Sequence, residues 1–441
     1  MEQTAYIVTG LAFGDEGKGG TVDFLAATNP GATVIRHNGG AQAGHNVISG
    51  DGRHHTFAQW GSGTFHGCRT FLSRFMSIHP TAMLKEAEIL DYKGVHAPFS
   101  RLDISREAQV ITPLHQTMNR ARELARGENR HGTCGMGYGE SVSMSYSHPE
   151  ATVRVADLYR PDILRNKLEL QKGIAEDFAS SMGLGVRFEV DDYLNRLRDF
   201  IPRINLVDDE SYLRGLVSSG KPMIFEGAQG VLLDKWHGFH PHTTWSNTTH
   251  ENALTLLKGV GFSGVVHRIG CLRTYLTRHG EGPFPSQASL NNPEHHNSPA
   301  GWQGQFRQGH FDPYMANYAL EVCGGVDSIS LSHLDRIQKE WTYVEDYGSE
   351  FRGLTYAPTP TDDTLCQDHL LPILQTARPV LKTMRTTGEF LDPYGVVAKV
   401  NDLLGGSSPV GLVSFGPRST DKINLGIPVF YSGVQRRKET T

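Results

Sequence analysis

Near its N-terminus the chain reads Val8-Thr9-Gly10-Leu11-Ala12-Phe13-Gly14-Asp15-Glu16-Gly17-Lys18-Gly19-Gly20-Thr21. This stretch predicts a strand that ends near Thr9, a glycine-rich turn, and a helix that begins near Gly19, because apolar residues follow at near-helical spacing. Glycines let several backbone N–H groups converge on phosphate oxygens at the N-terminus of a helix. The stretch therefore predicts a strand, a phosphate-binding loop and a helix.

The loop differs from a Walker A motif, because Ala12 replaces the first glycine and Gly19 replaces the Ser/Thr. Lys18 adds a positive point charge. Asp15 is unexpected, since a carboxylate beside phosphates is repulsive unless it holds Mg²⁺ or takes a proton. An ordinary turn between strand and helix, with Asp15 and Glu16 on the surface, remains the alternative.

Composition excludes several classes of protein. The 441 residues contain 42 Lys+Arg and 47 Asp+Glu, so a nucleic-acid partner is disfavoured. No apolar run approaches the roughly 20 residues of a membrane span, and the N-terminus lacks a signal-peptide pattern. The five scattered cysteines form no Cys-x-x-Cys pair. We therefore expect a cytoplasmic protein without a membrane segment, disulfide scaffold or zinc ribbon.

Short apolar runs alternate with helical patterns, which predicts an α/β fold with a mostly parallel central sheet. The predicted helices cover residues 108–125 and 163–182. No linker or internal repeat interrupts the chain, so a single domain over residues 1–441 is expected, with loop and helical excursions. Ligands of such sheets collect at the carboxyl ends of the strands. The runs that predict strands are Tyr6-Ile7-Val8, Thr33-Val34-Ile35, Met223-Ile224-Phe225, Ser328-Ile329-Ser330-Leu331 and residues 410–413.

Six blocks of sequence in register resemble the adenylosuccinate synthetase family. They begin with the phosphate loop and extend to about residue 420, so the resemblance covers nearly the whole chain. One block alone would be weak, but six in order make coincidence very unlikely. The blocks are residues 14–23, 39–45, 225–249, 277–285, 334–335 and 414–417.

The resemblance implies a P-loop-NTPase-like fold with helices on both faces of the sheet, and a homodimer. The family joins inosine monophosphate to L-aspartate at the expense of GTP, with Mg²⁺. By this resemblance Asp15 takes the proton from purine N1 and binds Mg²⁺ together with Gly44. His45 stabilises the charge on the transferring phosphoryl group, although a loop histidine that caps a turn is the alternative. Lys18 and Gln229 complete the catalytic set.

The resemblance also implies a GTP site. Asp335 would receive the paired donors of the guanine edge, which adenine lacks, unless it is simply an aspartate that caps a helix. His333 stands where the family usually has Lys. The residues of this site are Gly14, Glu16, Gly17, Lys18, Gly19, Gly44, Asp335, Ser414, Gly416 and Pro417.

The acceptor side departs from the family pattern. Gln42 replaces Asn, Cys134 replaces a phosphate-binding Thr, and residues 141–150 contain no Arg or Lys. The usually arginine-rich loop retains only Arg307 within residues 300–310, and Glu281 adds a carboxylate near it. We therefore expect changed acceptor and amine specificity. The acceptor-binding residues implied by the resemblance are Gln42, Thr133, Cys134, Gln229, Thr244 and Arg307.

The residues offer two further chemistries. Cys134 could be a nucleophile, but no paired histidine is evident. His237, His240 and His242 could bind a metal, but their spacing is not persuasive and substrate or interface contacts are the alternative.

The leading function is a GTP-dependent ligase acting on GTP, a purine nucleotide or nucleoside, and an amino acid. It is expected to be a paralogue with changed substrates. An authentic adenylosuccinate synthetase, a GTP-binding regulatory protein without ligase activity, and a kinase that stops at the phosphorylated intermediate are the alternatives.

Overall fold

The computed structural model describes residues 2–127, 130–294, 302–348 and 370–429. The strands within these ranges are β1 (Thr4–Gly10), β2 (Thr33–Arg36), β3 (His45–Ile48), β4 (His54–Phe57), β5 (Arg69–Leu72), β6 (Ser77–Ile78), β7 (Leu102–Ser105), β8 (Gln109–Val110), β9 (Asn205–Val207), β10 (Met223–Gly230), β11 (Val265–Arg273), β12 (Leu276–His279), β13 (Phe306–Gly309), β14 (Ser328–Ser332), β15 (Glu340–Asp346), β16 (Val380–Arg385), β17 (Val410–Ser414) and β18 (Lys422–Asn424). The helices are α1 (Lys18–Thr28), α2 (Pro80–Tyr92), α3 (Pro113–Ala125), α4 (Tyr138–Ser147), α5 (Pro161–Ser180), α6 (Val190–Leu197), α7 (Asp209–Ser219), α8 (Glu251–Gly259), α9 (Pro313–Val322), α10 (Leu370–Thr376) and α11 (Pro393–Leu403).

Ten strands form one central sheet in the order β18-β17-β14-β11-β1-β10-β2-β5-β7-β9. Every neighbouring pair is parallel except β17–β18 at the edge. The predicted α/β class is confirmed, and all five apolar runs are strands of this sheet. Three antiparallel pairs, β3–β4, β12–β13 and β15–β16, lie outside it as excursions.

Side chains of β1 alternate between two apolar layers, which explains why this strand is buried along its whole length. Tyr6 and Val8 pack with α1 residues such as Phe24 on one face. Ala5 and Ile7 pack on the other face in the cluster that contains residues of α7 and α8. Helices therefore cover both faces of the sheet, as predicted.

Helix α3 begins later than the sequence pattern predicted. Gln109 and Val110 form β8, and the helix starts only at Pro113. Thr112 is extended, as the residue before a proline prefers, and its N–H donates to Nδ1 of His115 at 3.0 Å. Helix α5 lies close to its predicted bounds.

The topology brings distant segments to one edge. The neighbouring strands β17, β14, β11, β1 and β10 run in the same direction, so their carboxyl ends lie side by side. The sequence blocks at residues 14–23, 334–335 and 414–417 lie at or just after the ends of β1, β14 and β17. No helix in the described part of the chain is long and apolar enough to cross a membrane.

Candidate active site

The phosphate loop is held together by the buried carboxylate of Glu16. Its Oε1 accepts hydrogen bonds from the N–H groups of Ala12 and Gly14 at 3.0 and 2.8 Å. Its Oε2 lies 2.6 Å from Nζ of Lys18. A Cβ at Gly10 would lie 2.3 Å from Oε2, so only glycine permits this close approach. The predicted GTP-binding residue Glu16 therefore has its side chain turned into the protein, where it shapes the loop.

Helix α1 begins directly after this loop. Gly17 at its N-cap has φ 90°, and Gly14 has φ 123°, both in the region that favours glycine. Nζ of Lys18 also donates to the carbonyl of Gly14 at 2.5 Å, and its side chain is almost fully buried. Because Glu16 compensates the Lys18 charge, the helix N-terminus would supply much of the attraction for a phosphate at the predicted site.

Asp15 lies at the mouth of the loop, with 30% of its side chain exposed. Its Oδ2 is 3.1 Å from Nε2 of His279, which stands at the end of β12. Burial raises the pKa of Asp15, but the His279 hydrogen bond and the charges of Arg273 and Lys18 outweigh burial and lower it to about 2. The Asp15 carboxylate is therefore ionised at neutral pH, so it can bind a cation or accept a proton.

His45 stands at the start of β3, next to the phosphate loop. A Cβ at Gly19 would lie 2.8 Å from Cβ of His45, so the glycine makes room for the histidine. Nδ1 of His45 lies 2.5 Å from Oε1 of Glu226 on β10. Burial lowers the pKa of His45, and Glu226 opposes that shift.

Glu226 is completely buried and is the partner that orients His45. Burial raises the pKa of this carboxyl, but the Arg36 charge and the hydrogen bonds from His45 and Ser62 outweigh burial and lower it. The backbone N–H of Ser62 donates to Oε2 at 2.9 Å, and its hydroxyl donates to Oε1 at 2.5 Å. The Glu226 carboxylate thus accepts a hydrogen bond from Nδ1 of His45, which leaves Nε2 as the ring nitrogen not bonded to Glu226.

The predicted guanine-binding residues follow two neighbouring strands. Asp335 lies in a single helical turn after β14, 32% exposed and 3.3 Å from the guanidinium of Arg336. Ser414 ends β17, and its hydroxyl donates to the carbonyl of Gly416 at 2.7 Å. A Cβ at Gly416 would lie 2.5 Å from Asp421, so this turn needs its glycine. Asp335 and the loop at residues 415–417 therefore share one edge of the sheet.

Hydrogen bonds also join the phosphate loop and helix α1 to strand β14. The hydroxyl of Ser332 donates to the carbonyl of Glu16 at 3.2 Å, and Thr21 in α1 is hydrogen-bonded to Ser330 at 2.9 Å. The phosphate loop is thus hydrogen-bonded to the strand that precedes Asp335.

Among the predicted acceptor residues, Gln229 and Thr244 contact each other. Gln229 has φ 66°, an uncommon conformation for a residue with a side chain, and its Nε2 donates to Oγ1 of Thr244 at 2.7 Å. Asn38 fixes this turn, because its amide exchanges hydrogen bonds with the backbone of Ala228 at 2.8 and 3.0 Å. The amide group of Gln42 is buried without a hydrogen-bond partner among the described residues.

Thr133 and Cys134 lie in the segment between α3 and α4. Thr133 accepts a hydrogen bond from Nδ2 of Asn119 at 3.0 Å. Burial raises the pKa of Cys134 to about 11, so its thiolate is disfavoured and the nucleophile hypothesis loses support.

The three histidines at residues 237–242 have separate partners. Nε2 of His240 contacts the carbonyl of Lys235 at 2.9 Å, whereas the ring of His242 lies near that of His131, with ring centres 5.7 Å apart. The part of the chain that the structure describes contains no group of three His, Cys, Asp or Glu side chains arranged for a metal. The histidine metal site is therefore not supported there.

Arg307 lies on β13, directly opposite Arg278 on β12. Its guanidinium donates to Gln287 at 2.9 Å and to the carbonyl of Gly282 at 3.0 Å. The Trp302 side chain lies close to Gly135 and beneath the Arg120 guanidinium, 5.7 Å from the ring centre. The loop that carries Trp302 thus packs, through this aromatic ring, on the segment between α3 and α4 that contains Gly135.

Sequence reasoning assigned no role to Glu226 or His279. Glu226 carried a weak signal, since it is a charged residue that continues a buried apolar strand. His279 carried none, because its neighbour Asp15 is remote in the chain and only the fold brings the two together.

Comparisons with known proteins give matches over most of the chain. A sequence model described as adenylosuccinate synthetase matches residues 7–365. The adenylosuccinate synthetase of Chlorobium limicola is 32% identical over 393 residues, which cover 87% of this chain and 86% of that protein. The adenylosuccinate synthetase of Nitratidesulfovibrio vulgaris is 32% identical over 438 residues, covering 95% of this chain and 99% of that protein.

Two solved structures share the fold. Fully ligated adenylosuccinate synthetase from Plasmodium falciparum matches with a TM-score of 0.77 at 22% identity, over 95% of this chain and 99% of that chain. The cyanophage S-2L succinoaminodeoxyadenylate synthetase, bound to dGMP and to dATP as an energy donor, matches with a TM-score of 0.59 at 17% identity, over 96% of each chain. The predicted resemblance is confirmed: the chain belongs to the adenylosuccinate synthetase family and is a GTP-dependent ligase that forms a carbon–nitrogen bond.

Proposed function

We propose that this ligase phosphorylates the 6-oxo group of an IMP-like purine nucleotide and then replaces it with an amino acid amine. Asp15 takes the N1 proton of the purine, and O6 attacks the γ-phosphorus of GTP, so that GDP leaves. The amine nitrogen then bonds to C6, the C6–O bond breaks, and inorganic phosphate departs with the oxygen that was O6. Phosphorylation is needed because a purine oxygen is otherwise a poor leaving group.

One observation supports this proposal above all others. Asp15, the phosphate loop and the His45–Glu226 pair meet at the edge of the sheet where Gln229 also turns. A proton acceptor, a phosphate cradle and a phosphoryl-stabilising group are the parts that such a transfer requires.

The His45–Glu226 pair suggests how the transferring group is stabilised. Because the Glu226 carboxylate accepts the Nδ1 proton, His45 can donate from Nε2 only as an imidazolium. The negative charge of a bound triphosphate favours that cationic form, and the buried carboxylate balances it. His45 would then donate to an oxygen of the γ-phosphoryl group, an interaction that is strongest where water is excluded.

The residues present fit a magnesium ion held mainly by phosphate oxygens. Asp15 offers an ionised carboxylate and the exposed residue Gly44 a backbone carbonyl, and Mg²⁺ usually takes one or two carboxylates plus substrate phosphates. Mg²⁺ bound there would neutralise charge on the phosphates. We further propose that the protein is a homodimer, as the family resemblance implies.

The acceptor and the amine donor are proposed to differ from inosine monophosphate and aspartate. Support comes from the sequence of residues 300–310, in which Arg307 is the only Arg or Lys, and from the engagement of Arg307 with Gln287 and Gly282. Authentic adenylosuccinate synthesis is the second candidate, favoured by the 32% identity that extends over 99% of the N. vulgaris enzyme. Both belong in one substrate screen, together with dGMP and ATP, since the cyanophage enzyme binds dGMP with dATP.

The test uses purine substrates labelled with ¹⁸O at position 6. The protein is incubated with Mg²⁺, GTP or ATP, each oxopurine nucleotide or nucleoside, and a panel of amino acids, and products are read by mass spectrometry. We expect ¹⁸O in the released phosphate and a new nitrogen on the purine.

Other outcomes separate the alternatives. Labelled phosphate with aspartate and IMP as best substrates would identify an authentic adenylosuccinate synthetase. A phosphorylated purine without amine would indicate a kinase. GTP binding without phosphate release on any oxopurine would contradict the ligase proposal and favour a regulatory protein.

A further inference from the structure

Lys422 is a buried lysine close to the phosphate loop that no part of the proposed reaction uses. It begins the edge strand β18, and its side chain is 7% exposed. Its Nζ donates to the backbone carbonyls of Arg418 and Pro417 at 3.0 and 3.4 Å. Both acceptors belong to the loop after β17 that is predicted to shape the guanine pocket.

The ammonium is held by neutral carbonyls, and neither of the nearby aspartates is hydrogen-bonded to it. Oδ1 of Asp23, in α1, is paired with His66 at 2.8 Å, and its Oδ2 is buried without a hydrogen-bond partner among the described residues. Asp421 accepts the backbone N–H of Arg418 at 2.9 Å. Burial lowers the pKa of Lys422 to about 8, although both aspartates oppose the shift. A buried ammonium without a directly bonded carboxylate is costly for the fold, which is typical of a functional group.

The position of Lys422 is between the phosphate cradle and the base pocket. Gly20 lies in the first turn of α1, and a Cβ there would be 3.3 Å from Nζ and 3.5 Å from Cε of Lys422. The absence of a side chain at Gly20 therefore lets the ammonium approach the start of the helix. Lys422 also pairs in register with Ser414, the last residue of β17.

Lys422 differs from Lys18 in how its charge is compensated. Lys18 belongs to the loop motif, but Glu16 at 2.6 Å already compensates its charge. Lys422 carries a positive charge to which no carboxylate is hydrogen-bonded, and its Nζ lies beside the first turn of α1 and the loop after β17. An anion between the two would gain a charge-assisted hydrogen bond there.

We propose that Lys422 is a nucleotide-binding residue whose ammonium binds the α-phosphate of the purine nucleoside triphosphate. This inference rests on the proposed function, which has the triphosphate on the loop before α1 and the base near Asp335. The α-phosphate is the one nearest the base, so it lies where the cradle and the base pocket meet. Lys422 would thereby hold together the two parts of the GTP site.

The experiment compares Lys422→Met with the wild-type full-length chain in direct binding by calorimetry, with Mg²⁺ present. Methionine keeps the apolar stem but removes the charge. The ligands are GTP, GDP, GMP and guanosine, so the phosphates are removed one after another. Lys167→Met is the matched control, because Lys167 is also partly buried and donates to a backbone carbonyl, that of Thr152 at 2.8 Å, but lies on α5. Thermal unfolding of each variant checks that it is folded.

We expect Lys422→Met to raise the Kd of GTP, GDP and GMP alike by about 10- to 100-fold, as the loss of a hydrogen bond from a charged group predicts. The Kd of guanosine and all values for Lys167→Met should stay within about twofold. Unchanged GMP binding would overturn the α-phosphate contact, and equal weakening of guanosine would overturn it in favour of a structural role. Failure of the wild-type chain to bind GTP would instead contradict the proposed function.

Discussion

The phosphate half and the acceptor half of the candidate site differ in how their polar groups are satisfied. Around the loop, Glu16 bonds Lys18 and two backbone N–H groups, and Glu226 bonds His45. On the acceptor side, the Gln42 amide and Oε1 of Gln229 are buried without partners among the described residues. A buried unsatisfied polar group costs about 1–3 kcal/mol, which a ligand can recover.

This difference indicates which half of the candidate site is preorganised before its ligand binds. In the phosphate half, the carboxylates of Glu16 and Glu226 already have their hydrogen-bond partners, so the loop and His45 are preorganised, as a site that stabilises developing charge requires. In the acceptor half, the Gln42 amide and Oε1 of Gln229 have no hydrogen-bond partner among the described residues. Binding there therefore depends on a ligand that supplies polar groups. The following changes break or sharpen this contrast.

The largest loss is expected from Asp15→Asn. Asparagine cannot take the purine N1 proton, so turnover should fall by about 10²- to 10⁴-fold. The Kd of GTP should change by less than about tenfold, because the loop backbone is kept. Steady-state assays of phosphate release and calorimetry with GTP measure the two effects, and surviving turnover would exclude Asp15 as the base.

A smaller loss, about 10²-fold in kcat, is expected from Glu226→Gln. The amide keeps the size of the side chain but no longer balances an imidazolium at His45, so stabilisation of the phosphoryl group is weakened. The KM of GTP should change little. A fall in kcat no larger than that of a variant outside the site, such as Glu88→Gln on exposed α2, would contradict the role of the pair.

His279 connects the two halves, because it stands on the acceptor-side hairpin and holds a carboxylate of the phosphate loop. His279→Leu should lower kcat by about tenfold, since one oxygen of Asp15 loses its anchor. His279→Gln, which retains a donor, should restore most of it. His96→Leu is the control, because His96 is an exposed histidine 3.6 Å from Asp91. Equal losses in the Leu and Gln variants would argue against the hydrogen bond.

Gln42→Leu tests the open half directly. We expect the KM of the acceptor to rise by about tenfold while the free energy of unfolding stays equal or increases, since an unsatisfied amide is removed. Steady-state kinetic assays measure the KM of the acceptor, and chemical denaturation measures the free energy of unfolding. A loss of stability without a change in KM would mean that the amide serves the fold.

The smallest effect concerns stability at high pH. The pKa of Lys422 falls from its ordinary 10.5 to about 8 in the folded chain. Between these values the unfolded chain holds the proton more tightly, so the free energy of unfolding contributed by Lys422 rises with pH. The difference between wild type and Lys422→Met should therefore shift in favour of wild type from pH 8 to pH 10.5. A difference independent of pH would contradict the lowered pKa.

Much of the fold was predictable because its signals are local. The apolar runs of β1, β2, β10, β14 and β17 report burial on both faces, and the glycines after β1 report a tight turn. The start of α3 was missed, since Gln109 and Val110 pair with Ser77 and Ile78 of another segment, which no helical period reveals.

The sequence by itself determined the parallel sheet, the phosphate loop and the family, because residue type and short spacing encode strands, turns and motifs. Only the tertiary structure decided that Glu226 holds His45, that His279 holds Asp15, and that Lys422 lies against Gly20. These partners lie in segments that are distant in the sequence. The order of the parallel strands places those segments at the same edge of the central sheet. Their contacts depend on the packing of the whole sheet, which no local stretch specifies.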